Sequence, residues 1–508
     1  MYDTHRLVIP TLFLLANAVA FYLLRPGVPD LWAARARASA VAHGVGVTYW
    51  FSWFGGTTPG NYSVITPWLC AQLGTEVAAG IAAVLICALT TWLVRDTARP
   101  TVAAGVAAAS VAVNLWCGRV PFLVGAAFAV AALVCLRQQR KVPAALLAVL
   151  TVLASPVSGA FLALAVSGLL LTARLRAHRA ATMLVVGCAG ATLIGLAVLF
   201  GSPGPEPFPP YLVGEVLLVL GLMLLAAPPD HLRTTLAAAA VAALLLFVIP
   251  NGMGANFARL GLFCLPAAAV ALSRRKSWIL ASLTAPILVL GALSSVSAVR
   301  SASRPASAVA YYTPLAAELD KLPAPANHRL ELVNAAHAAY AALLDHAMMA
   351  RGWETQQDSA LNAVLEKTTL DARSYRTWID DNAVGYVALN IPSADTPEAR
   401  VITTANPGFL RRIWTSQHWQ LYQVEHPVPI VAAPAAVQAS SQSTLTVRVP
   451  CACQVSIKIR WSKFLDVSAQ LPGDTKDAVE DAYRPVIVPD EGGWTALTTN
   501  RPGTYVLG

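Results

Sequence analysis

The sequence predicts a membrane all-α bundle of about eleven transmembrane helices, followed by an exported α/β unit and a C-terminal β-sandwich. Two observations predict this class. Of the 508 residues, 56% are hydrophobic and only 12% are charged, and the mean hydropathy is +0.57, outside the range of soluble chains. Residues 1–299 contain 18 Lys and Arg against 7 Asp and Glu, whereas residues 300–508 contain 18 against 20. A basic membrane part therefore precedes a near-neutral soluble part.

The membrane part is a series of apolar runs of about 15 to 20 residues, close to the length that a helix needs to cross roughly 30 Å of hydrocarbon. Some of these runs, such as 142–155 and 159–173, are short enough to be tilted, re-entrant or fused, so the predicted number of spans holds to within one or two. The predicted spans lie near 7–24, 77–94, 101–116, 121–136, 142–155, 159–173, 181–200, 212–227, 234–249, 260–272 and 278–297.

The basic residues of the membrane part fall in every second loop. Cytoplasmic loops retain Lys and Arg, so we expect a multi-pass plasma-membrane protein with a cytoplasmic N-terminus. An odd number of spans then places residues 300–508 on the extracytoplasmic side. The basic residues on the predicted cytoplasmic side are Arg6, Arg95, Arg99, Arg137, Arg140, Lys141, Arg174, Arg176, Arg179, Arg233, Arg274, Arg275 and Lys276.

The soluble part divides into two predicted domains after the membrane domain 1–299. Residues 300–427 contain apolar strand and helix patterns in the order expected of an α/β unit. Residues 428–508 alternate β-branched and polar residues between Pro and Gly turns, which favours a β-sandwich. We expect no disulfide between Cys451 and Cys453, because alternate residues of a strand point to opposite faces.

The first predicted exported loop, about residues 25–66, contains a Gly, Pro and aromatic-rich stretch with no charge, WFGGTTPGNYSVITPWL. Its glycines allow close approach of backbone to a ligand, and Asn61, Tyr62 and Ser63 offer hydrogen bonds. We interpret it as the wall of a binding site. The earlier part of the loop is typical of a helix at the headgroup layer, and the Trp and Tyr residues of the loop, including Trp50 and Trp53, are typical of an aromatic belt there.

Two arginines, Arg119 and Arg259, stand alone in predicted exported loops, each at the start of a span. They run against the positive-inside tendency, and an anionic ligand would explain them, because guanidinium groups bind phosphate oxygens bidentately. Anchoring in lipid headgroups is the alternative. The nearby Asn114 and Asn256 are either turn or cap residues or contacts to substrate.

Three short patterns lie in these loops: Pro-Gly-Asn-Tyr-Ser-Val at 59–64, Gly-Arg-Val-Pro-Phe at 118–122 and Asn-Phe-Ala-Arg-Leu-Gly at 256–261. With the predicted topology, they make the chain resemble the GT-C superfamily of polyprenyl-phosphate-sugar-dependent glycosyltransferases. Within it, the chain looks like a group of actinobacterial multi-pass membrane proteins with these loop patterns. The resemblance extends over nearly the whole chain.

The resemblance implies a lipid-linked sugar phosphate held by basic side chains at the outer face, and a first-loop carboxylate as base. The sequence departs from that pattern. Its first exported loop contains a single acid, Asp30, which lies directly after the first span, and the stretch 53–69 contains none. A general base must lie within hydrogen-bond reach of the proton that it accepts. The candidates are Asp30, Glu206 and Glu215, with His43 behind them. Asp30 could instead cap a helix.

The partners expected from this interpretation are a polyprenyl-phosphate-linked sugar, an envelope glycan or lipid acceptor, and membrane lipid. Nucleic acid is not indicated, because membrane topology explains the basic charge. The sequence names no cofactor, and a requirement for a divalent metal stays open. A non-catalytic protein that binds lipid-linked sugar or acts as a scaffold is the first alternative, and a transporter is the second.

In the soluble part, the run Arg351-Gly352-Trp353 with Gln356, Gln357 and Asp358 is the most site-like. Aromatic rings beside amides and acids suit sugar binding. The alternative, which we favour, is a contact with the loops of the membrane part.

Overall fold

The computed structural model of the chain describes residues 4–171, 179–201, 204–226, 229–263, 265–322, 327–392, 396–470 and 485–508. The side chains of residues 4–7 and 171 lie outside this description, as do the predicted basic positions Arg174 and Arg176. The chain folds into two compact units. The helical unit comprises Met1–Ala38 and Gly60–Arg304, and the second unit comprises Ser39–Pro59 and Pro305–Gly508.

Up to residue 302, the described secondary structure consists of α-helices and short 3-10 segments, apart from one isolated bridge between Trp50 and Thr57 in the stretch 43–65. Proline stands at the first or second position of several of them, where its missing N–H costs nothing. The helices are α1 (Thr4–Leu24), α2 (Pro29–Ala42), α3 (Thr66–Leu73), α4 (Thr75–Val94), α5 (Pro100–Trp116), α6 (Val120–Arg137), α7 (Lys141–Ala154), α8 (Pro156–Leu171), α9 (Arg179–Phe200), α10 (Pro210–Leu225), α11 (Asp230–Val248), α12 (Arg259–Phe263), α13 (Leu265–Leu272) and α14 (Ser277–Ala302).

Each predicted apolar run overlaps a helix in the described residues, and the run 260–272 overlaps two, α12 and α13. Among the described residues, 6 helical segments are long and apolar enough to cross a membrane, or up to 7 if the bent pair α1 and α2 forms one span. Four further apolar helices, α5, α7, α8 and α10, are shorter. The chain is therefore a membrane protein by the length and composition of its helices, and the total of about eleven spans stays a prediction.

The packing of the helical unit suits a lipid solvent. Alanines fill many of the buried positions between helices, among them Ala79, Ala104 and Ala148, which allows close helix approach. Large apolar side chains such as Leu23 and Val198 are exposed on its surface. The stability of this unit therefore depends on close helix packing within an apolar surrounding.

The second unit begins with a mixed sheet of four strands, β1 (Arg329–Val333), β2 (Val384–Asn390), β3 (Leu410–Thr415) and β4 (Trp419–Val424). Their order is β1-β2-β4-β3, with β1 and β2 parallel and the other pairs antiparallel. Every residue of β1 and β2 is buried, as expected for strands that are covered on both faces. The accompanying helices are α15 (Thr313–Leu319), α16 (Ala339–Ala342), α17 (Thr355–Leu361), α18 (Ala372–Asp381) and α19 (Pro397–Arg400).

Two antiparallel sheets follow, and side chains from both share one hydrophobic core that includes Val447, Ile457 and Leu497. In the described residues, one sheet has the order β7-β10-β9 and the other β5-β6-β11-β8. The strands are β5 (Ala436–Ser440), β6 (Leu445–Val449), β7 (Gln454–Arg460), β8 (Val467–Gln470), β9 (Val486–Pro489), β10 (Trp494–Thr498) and β11 (Gly503–Leu507).

The structure corrects the prediction for the cysteine pair. Cys451 and Cys453 form a disulfide, with their Cα atoms 5.4 Å apart. The prediction placed both residues in one strand. They lie in the turn between β6 and β7, where the alternation of side chains does not apply.

The structure also corrects the interpretation of the first loop. Its aromatic residues were expected at the headgroup layer, but Trp50 and Trp53 are fully buried in the second unit. The Trp50 indole donates to Gln442 Oε1 at 3.2 Å, and the Trp53 indole donates to the Tyr340 carbonyl at 3.2 Å. Residues 39–59, which we call the loop segment, are therefore a structural part of the second unit.

We expect Trp53→Ala to destabilise the second unit by about 3 to 5 kcal/mol, because it leaves a cavity and removes a buried hydrogen bond. Hydrogen exchange of β1 and β2, measured on the full chain in nanodiscs, reports this change. Trp461→Ala is the matched control, since that indole is 42% exposed and its loss should change stability by less than about 1 kcal/mol. Equal exchange rates in Trp53→Ala and wild type would contradict the assignment of the loop segment.

Candidate functional site

Two arginines and one carboxylate meet in the helical unit. Asp30 lies in the first turn of α2, Arg119 directly precedes α6, and Arg259 is the first residue of α12. Asp30 Oδ2 lies 3.9 Å from Arg119 Nε and 3.8 Å from Arg259 Nη2. Three residues that the sequence analysis proposed, from three different predicted exported loops, thus lie close together, with Asp30 within 4 Å of both arginines.

A glycine makes this meeting sterically possible. Gly118 has a φ of +74°, a conformation that glycine adopts without strain. A Cβ at this position would lie 2.6 Å from a Val28 methyl carbon and 2.8 Å from the Leu31 backbone nitrogen. Any larger residue would push the start of α2, and Asp30 with it, away from Arg119.

Arg119 is held in place by a neighbouring amide. Asn114 Oδ1 accepts a hydrogen bond of 3.0 Å from Arg119 Nη1, and Asn114 Nδ2 donates to the Ser110 carbonyl at 2.9 Å. Asn114 is fully buried, so its contact with a ligand would be indirect. Arg119 Nε is buried and makes no hydrogen bond to any described residue. The guanidinium group is therefore fixed at one nitrogen and unsatisfied at another.

Tyr62 lies in the electrostatic field of the same cluster. Burial raises the pKa of its phenol above the usual value, and Asp30 raises it further, while Arg259, Arg37 and Arg119 act in the opposite direction. The phenol is therefore neutral at physiological pH and can donate a hydrogen bond. The Arg37 guanidinium carbon lies 4.5 Å from the centroid of the Tyr62 ring, which fixes the ring by a cation–π contact.

The sequence interpretation missed Arg37. This arginine is only 3% exposed, and it lies in the part of the first loop that was interpreted as a helix at the headgroup layer. A charged residue on such a helix is ordinary, so no pattern marks it. The contact with Tyr62, 25 positions along the chain, is visible only in three dimensions.

An apolar cavity of about 360 Å³ lies next to the charged cluster. Phe122 lines the cavity, and its ring centroid lies 5.8 Å from the Arg259 guanidinium carbon. Leu260, the residue after Arg259, lines it as well. Lining residues on α6 extend from Phe122 to Leu133, a distance of about 16 Å along the helix. The long apolar space thus has two lining residues, Phe122 and Leu260, beside Arg259, while Asp30, Arg119 and Arg259 are not among its lining residues.

The other two predicted acids, Glu206 and Glu215, do not join the cluster. Among the described residues, the side-chain ion pairs of Arg119 and Arg259 go to Asp30 alone. Glu206 lies in the loop before α10, where its backbone nitrogen donates to the Asn251 carbonyl at 2.8 Å. Glu215 lies in the second turn of α10 and is half-buried.

The remaining predicted polar residues divide into three kinds. Ser63 Oγ donates to the Ala154 carbonyl at 2.8 Å and accepts from the Thr66 backbone nitrogen, which indicates a structural role at the start of α3. Asn61 Oδ1 is buried and has no hydrogen-bond partner in the described part of the chain. Asn256 is half-buried in the 3-10 segment before Arg259, where its backbone nitrogen donates to the Met253 carbonyl.

The predicted site-like run of the second unit forms a buried charge cluster. Arg351 Nη1 lies 3.0 Å from Glu398 Oε1 and 3.5 Å from Glu331 Oε1, and Arg351 also forms a double ion pair with Asp358. A Cβ at Gly352 would lie 2.8 Å from the Trp53 ring of the loop segment. The run therefore contacts a loop of the first part of the chain, which is the alternative that we favoured from the sequence.

Glu331 is the most buried carboxyl group of this cluster. Burial raises its pKa to about 8, against the effect of Arg351, and Glu398 and Asp358 add to the rise. Glu331 Oε2 makes no hydrogen bond to a described residue. Among the described residues, no three His, Cys, Asp or Glu side chains form a group that could hold a metal ion.

Comparison with known proteins adds a structural likeness. No protein-family model and no curated protein matches the sequence. Among solved structures, the chain is similar to the archaeal oligosaccharyltransferase AglB from Archaeoglobus fulgidus in complex with an inhibitory peptide and a dolichol-phosphate. The TM-score is 0.46 and the identity 12%, over 77% of this chain and 69% of that chain. The functional conclusion therefore depends on the side chains described above.

The pKa of Glu331 predicts the pH dependence of the second unit. Because its pKa is about 8 in the folded chain and near 4.5 when unfolded, the folded state holds the proton more tightly. The free energy of unfolding of the second unit should fall as the pH rises from about 4.5 to 8, by at most about 1.4 kcal/mol per pH unit. Glu331→Gln should remove this slope, and Glu425→Gln, which changes an exposed acid, should retain it. Hydrogen exchange of β1 across this pH range measures the slope, and an identical slope in Glu331→Gln would contradict the prediction.

Proposed function

We propose that the chain is a glycosyltransferase that uses a polyprenyl-phosphate-linked sugar as donor and transfers the sugar to a cell-envelope glycan or lipid at the outer face of the plasma membrane. One observation carries this proposal: Arg119 and Arg259 converge on one carboxylate, and Phe122 and Leu260, which adjoin Arg259, help to line an apolar cavity. A ligand that suits both features is anionic at one end and hydrocarbon at the other.

The charge of the cluster favours a phosphate over a neutral headgroup. Two guanidinium groups face one carboxylate, and Arg37 adds a third cation beside Tyr62. Arginine presents several N–H donors in a planar fork that matches phosphate oxygens. The buried Arg119 Nε, which has no hydrogen-bond partner in the described chain, supplies a donor that an oxygen would satisfy.

The cavity favours a lipid chain over a free sugar phosphate. Its lining is almost entirely aliphatic and aromatic along helices α4, α6 and α8. Burying hydrocarbon there gains about 25 cal/mol for each Å² removed from water. A soluble sugar phosphate would leave this space unused, whereas a polyprenyl chain would fill it.

Transfer of the sugar requires a base near the bound phosphate. The acceptor hydroxyl oxygen forms a bond to the anomeric carbon, and the bond from that carbon to the phosphate oxygen breaks. The bonding electrons leave with the polyprenyl phosphate, and the hydroxyl proton passes to a carboxylate. Asp30 is our first choice for that carboxylate because it lies in the cluster. Glu206 and Glu215 are the second choice.

The polar groups around Tyr62 suit a sugar ring. The Tyr62 phenol can donate a hydrogen bond, and the buried Asn61 Oδ1 can accept one. We assign both to the sugar of the donor, and Ser63, Asn114 and Asn256 to support of the surrounding backbone and side chains. A non-catalytic protein that binds the same lipid is the second candidate function, and the pairing of Asp30 with both arginines favours it.

Binding of farnesyl phosphate to the full chain in nanodiscs tests the phosphate assignment. We expect Arg119→Gln and Arg259→Gln each to weaken binding by about 10- to 100-fold, because each removes charge-assisted hydrogen bonds. Arg35→Gln is the control, since Arg35 is paired with Glu76 at 2.5 Å. Unchanged affinity in both cluster variants would refute the proposal, and binding without sugar transfer would favour the second candidate.

Filling the cavity tests the assignment of the lipid chain. Ala126 is buried and lines the cavity, so Ala126→Phe should weaken farnesyl phosphate binding by roughly tenfold or more. Binding of inorganic phosphate should not change, because the charged cluster is left intact. Leu244→Phe, at an exposed position of α11, is the matched control. Equal loss for both ligands would indicate that the substitution distorts the unit instead of blocking the cavity.

A further inference from the structure

We infer that Asp30 is a built-in counter-ion that the donor phosphate displaces, and that this displacement frees the Asp30 carboxylate to accept the proton of the acceptor. The inference rests on the proposed function and adds the order of events at the same site. It assigns Asp30 two successive roles, first as partner of Arg119 and Arg259 and then as base.

The first argument is the geometry of the ion pairs. A single oxygen, Asp30 Oδ2, serves both arginines, at 3.9 Å from Arg119 Nε and 3.8 Å from Arg259 Nη2. Charge-assisted hydrogen bonds between nitrogen and oxygen are about 2.7 to 2.9 Å long, so neither pair is one. The Asp30 carboxylate offsets the positive charge of the two guanidinium groups without accepting a hydrogen bond from either of them.

The second argument is that the Asp30 carboxylate is not otherwise held. No hydrogen bond from a described residue reaches its oxygens, and its side chain is 28% exposed. A rotation about its side-chain bonds therefore breaks only two long ion pairs. Arg119, in contrast, is fixed by Asn114 at 3.0 Å. The anion of the cluster can move while this cation stays in place.

The third argument is the better match of a phosphate group. A phosphate offers several oxygens, so it can contact Arg119 and Arg259 at hydrogen-bond distance at the same time. It would also satisfy Arg119 Nε, which is buried and makes no hydrogen bond within the described residues. Donor binding would thus replace two long contacts of Asp30 by several short contacts of the phosphate.

The consequence concerns the timing of proton transfer. While Asp30 Oδ2 lies within 4 Å of both guanidinium groups, the carboxylate is held toward the arginines. Once the phosphate takes over the arginines, the carboxylate is free to turn toward the acceptor hydroxyl, and a base must come within hydrogen-bond reach of the proton that it accepts. The base would therefore be available to the acceptor only when a donor is bound.

The test is phosphate binding to Asp30→Asn in the full chain in nanodiscs. If Asp30 competes with the phosphate, we expect the variant to bind farnesyl phosphate and inorganic phosphate about 3- to 10-fold more tightly than wild type, while sugar transfer is lost. If Asp30 instead holds the arginines in position, the variant will bind both ligands more weakly, and this result overturns the inference.

A control and a ligand comparison separate the causes. Glu76→Gln removes the same charge from a pair with Arg35 and should leave both affinities unchanged. Tighter binding in both acid variants would indicate a general charge effect and overturn the inference. Failure of wild type and Asp30→Asn to bind either phosphate would reject the proposed function itself. Binding of inorganic phosphate alone would identify a free phosphate site instead of a lipid site.

A second measurement does not need a substitution. Carbodiimide coupling to glycine ethyl ester, read by mass spectrometry, reports how accessible the Asp30 carboxylate is in wild type. Farnesyl phosphate should increase the labelling of Asp30 by about threefold or more and leave the labelling of Glu76 unchanged. Protection of Asp30 on ligand binding would overturn the inference, even if Asp30→Asn did not fold.

Discussion

The guanidinium groups of Arg119 and Arg259 carry the same charge, and one oxygen of Asp30 lies within 4.0 Å of both. Like charges close to an apolar region repel strongly, because little water screens them. Contacts within the local fold hold the two guanidinium groups near each other. Gly118 lets α2 approach closely, Asn114 holds one guanidinium group, and the Phe122 ring lies beside the other. The charged surroundings of Tyr62 follow from this arrangement.

The site combines a charged environment with an apolar one. Its charged groups require water or an anion, whereas the cavity beside them requires hydrocarbon. A membrane protein can satisfy both demands with one amphiphilic ligand that lies across the boundary. This condition is more restrictive than either half alone, because a free phosphate fits only the cluster and an ordinary acyl chain fits only the cavity.

The sequence predicted the parts of this structure that depend on the solvent. Lipid requires apolar residues on every outward face of a helix, so the positions of the helices could be read directly. Arg119 and Arg259 stood out because their predicted location on the exported side conflicts with the usual charge distribution across a membrane. Asp30 was expected from the resemblance and from being the single acid of its loop. In each case, a general rule about the environment marks the residue.

Features that depend on one particular partner were missed. Nothing near Trp50 in the sequence shows that Gln442 accepts its hydrogen bond, so its indole was assigned to the headgroup layer. Cys451 and Cys453 were placed in a strand because the alternating pattern continues through the turn that contains them. Arg37 lacked any signal, since a cation on a surface helix is common. Side-chain contacts between distant positions are decided by packing, and a single sequence does not contain that information.

The loop segment has a consequence for how the chain is made. Residues 39–59 leave the ribosome early, but the rest of the unit that buries them begins at Pro305. Synthesis of the roughly 250 residues between them takes about 12 to 50 s at 5 to 20 residues per second. During this time the indoles of Trp50 and Trp53 have no partner surface. The growing chain must therefore carry an uncovered aromatic segment through most of its insertion, and biogenesis of this protein depends on protecting that segment until the second unit closes over it.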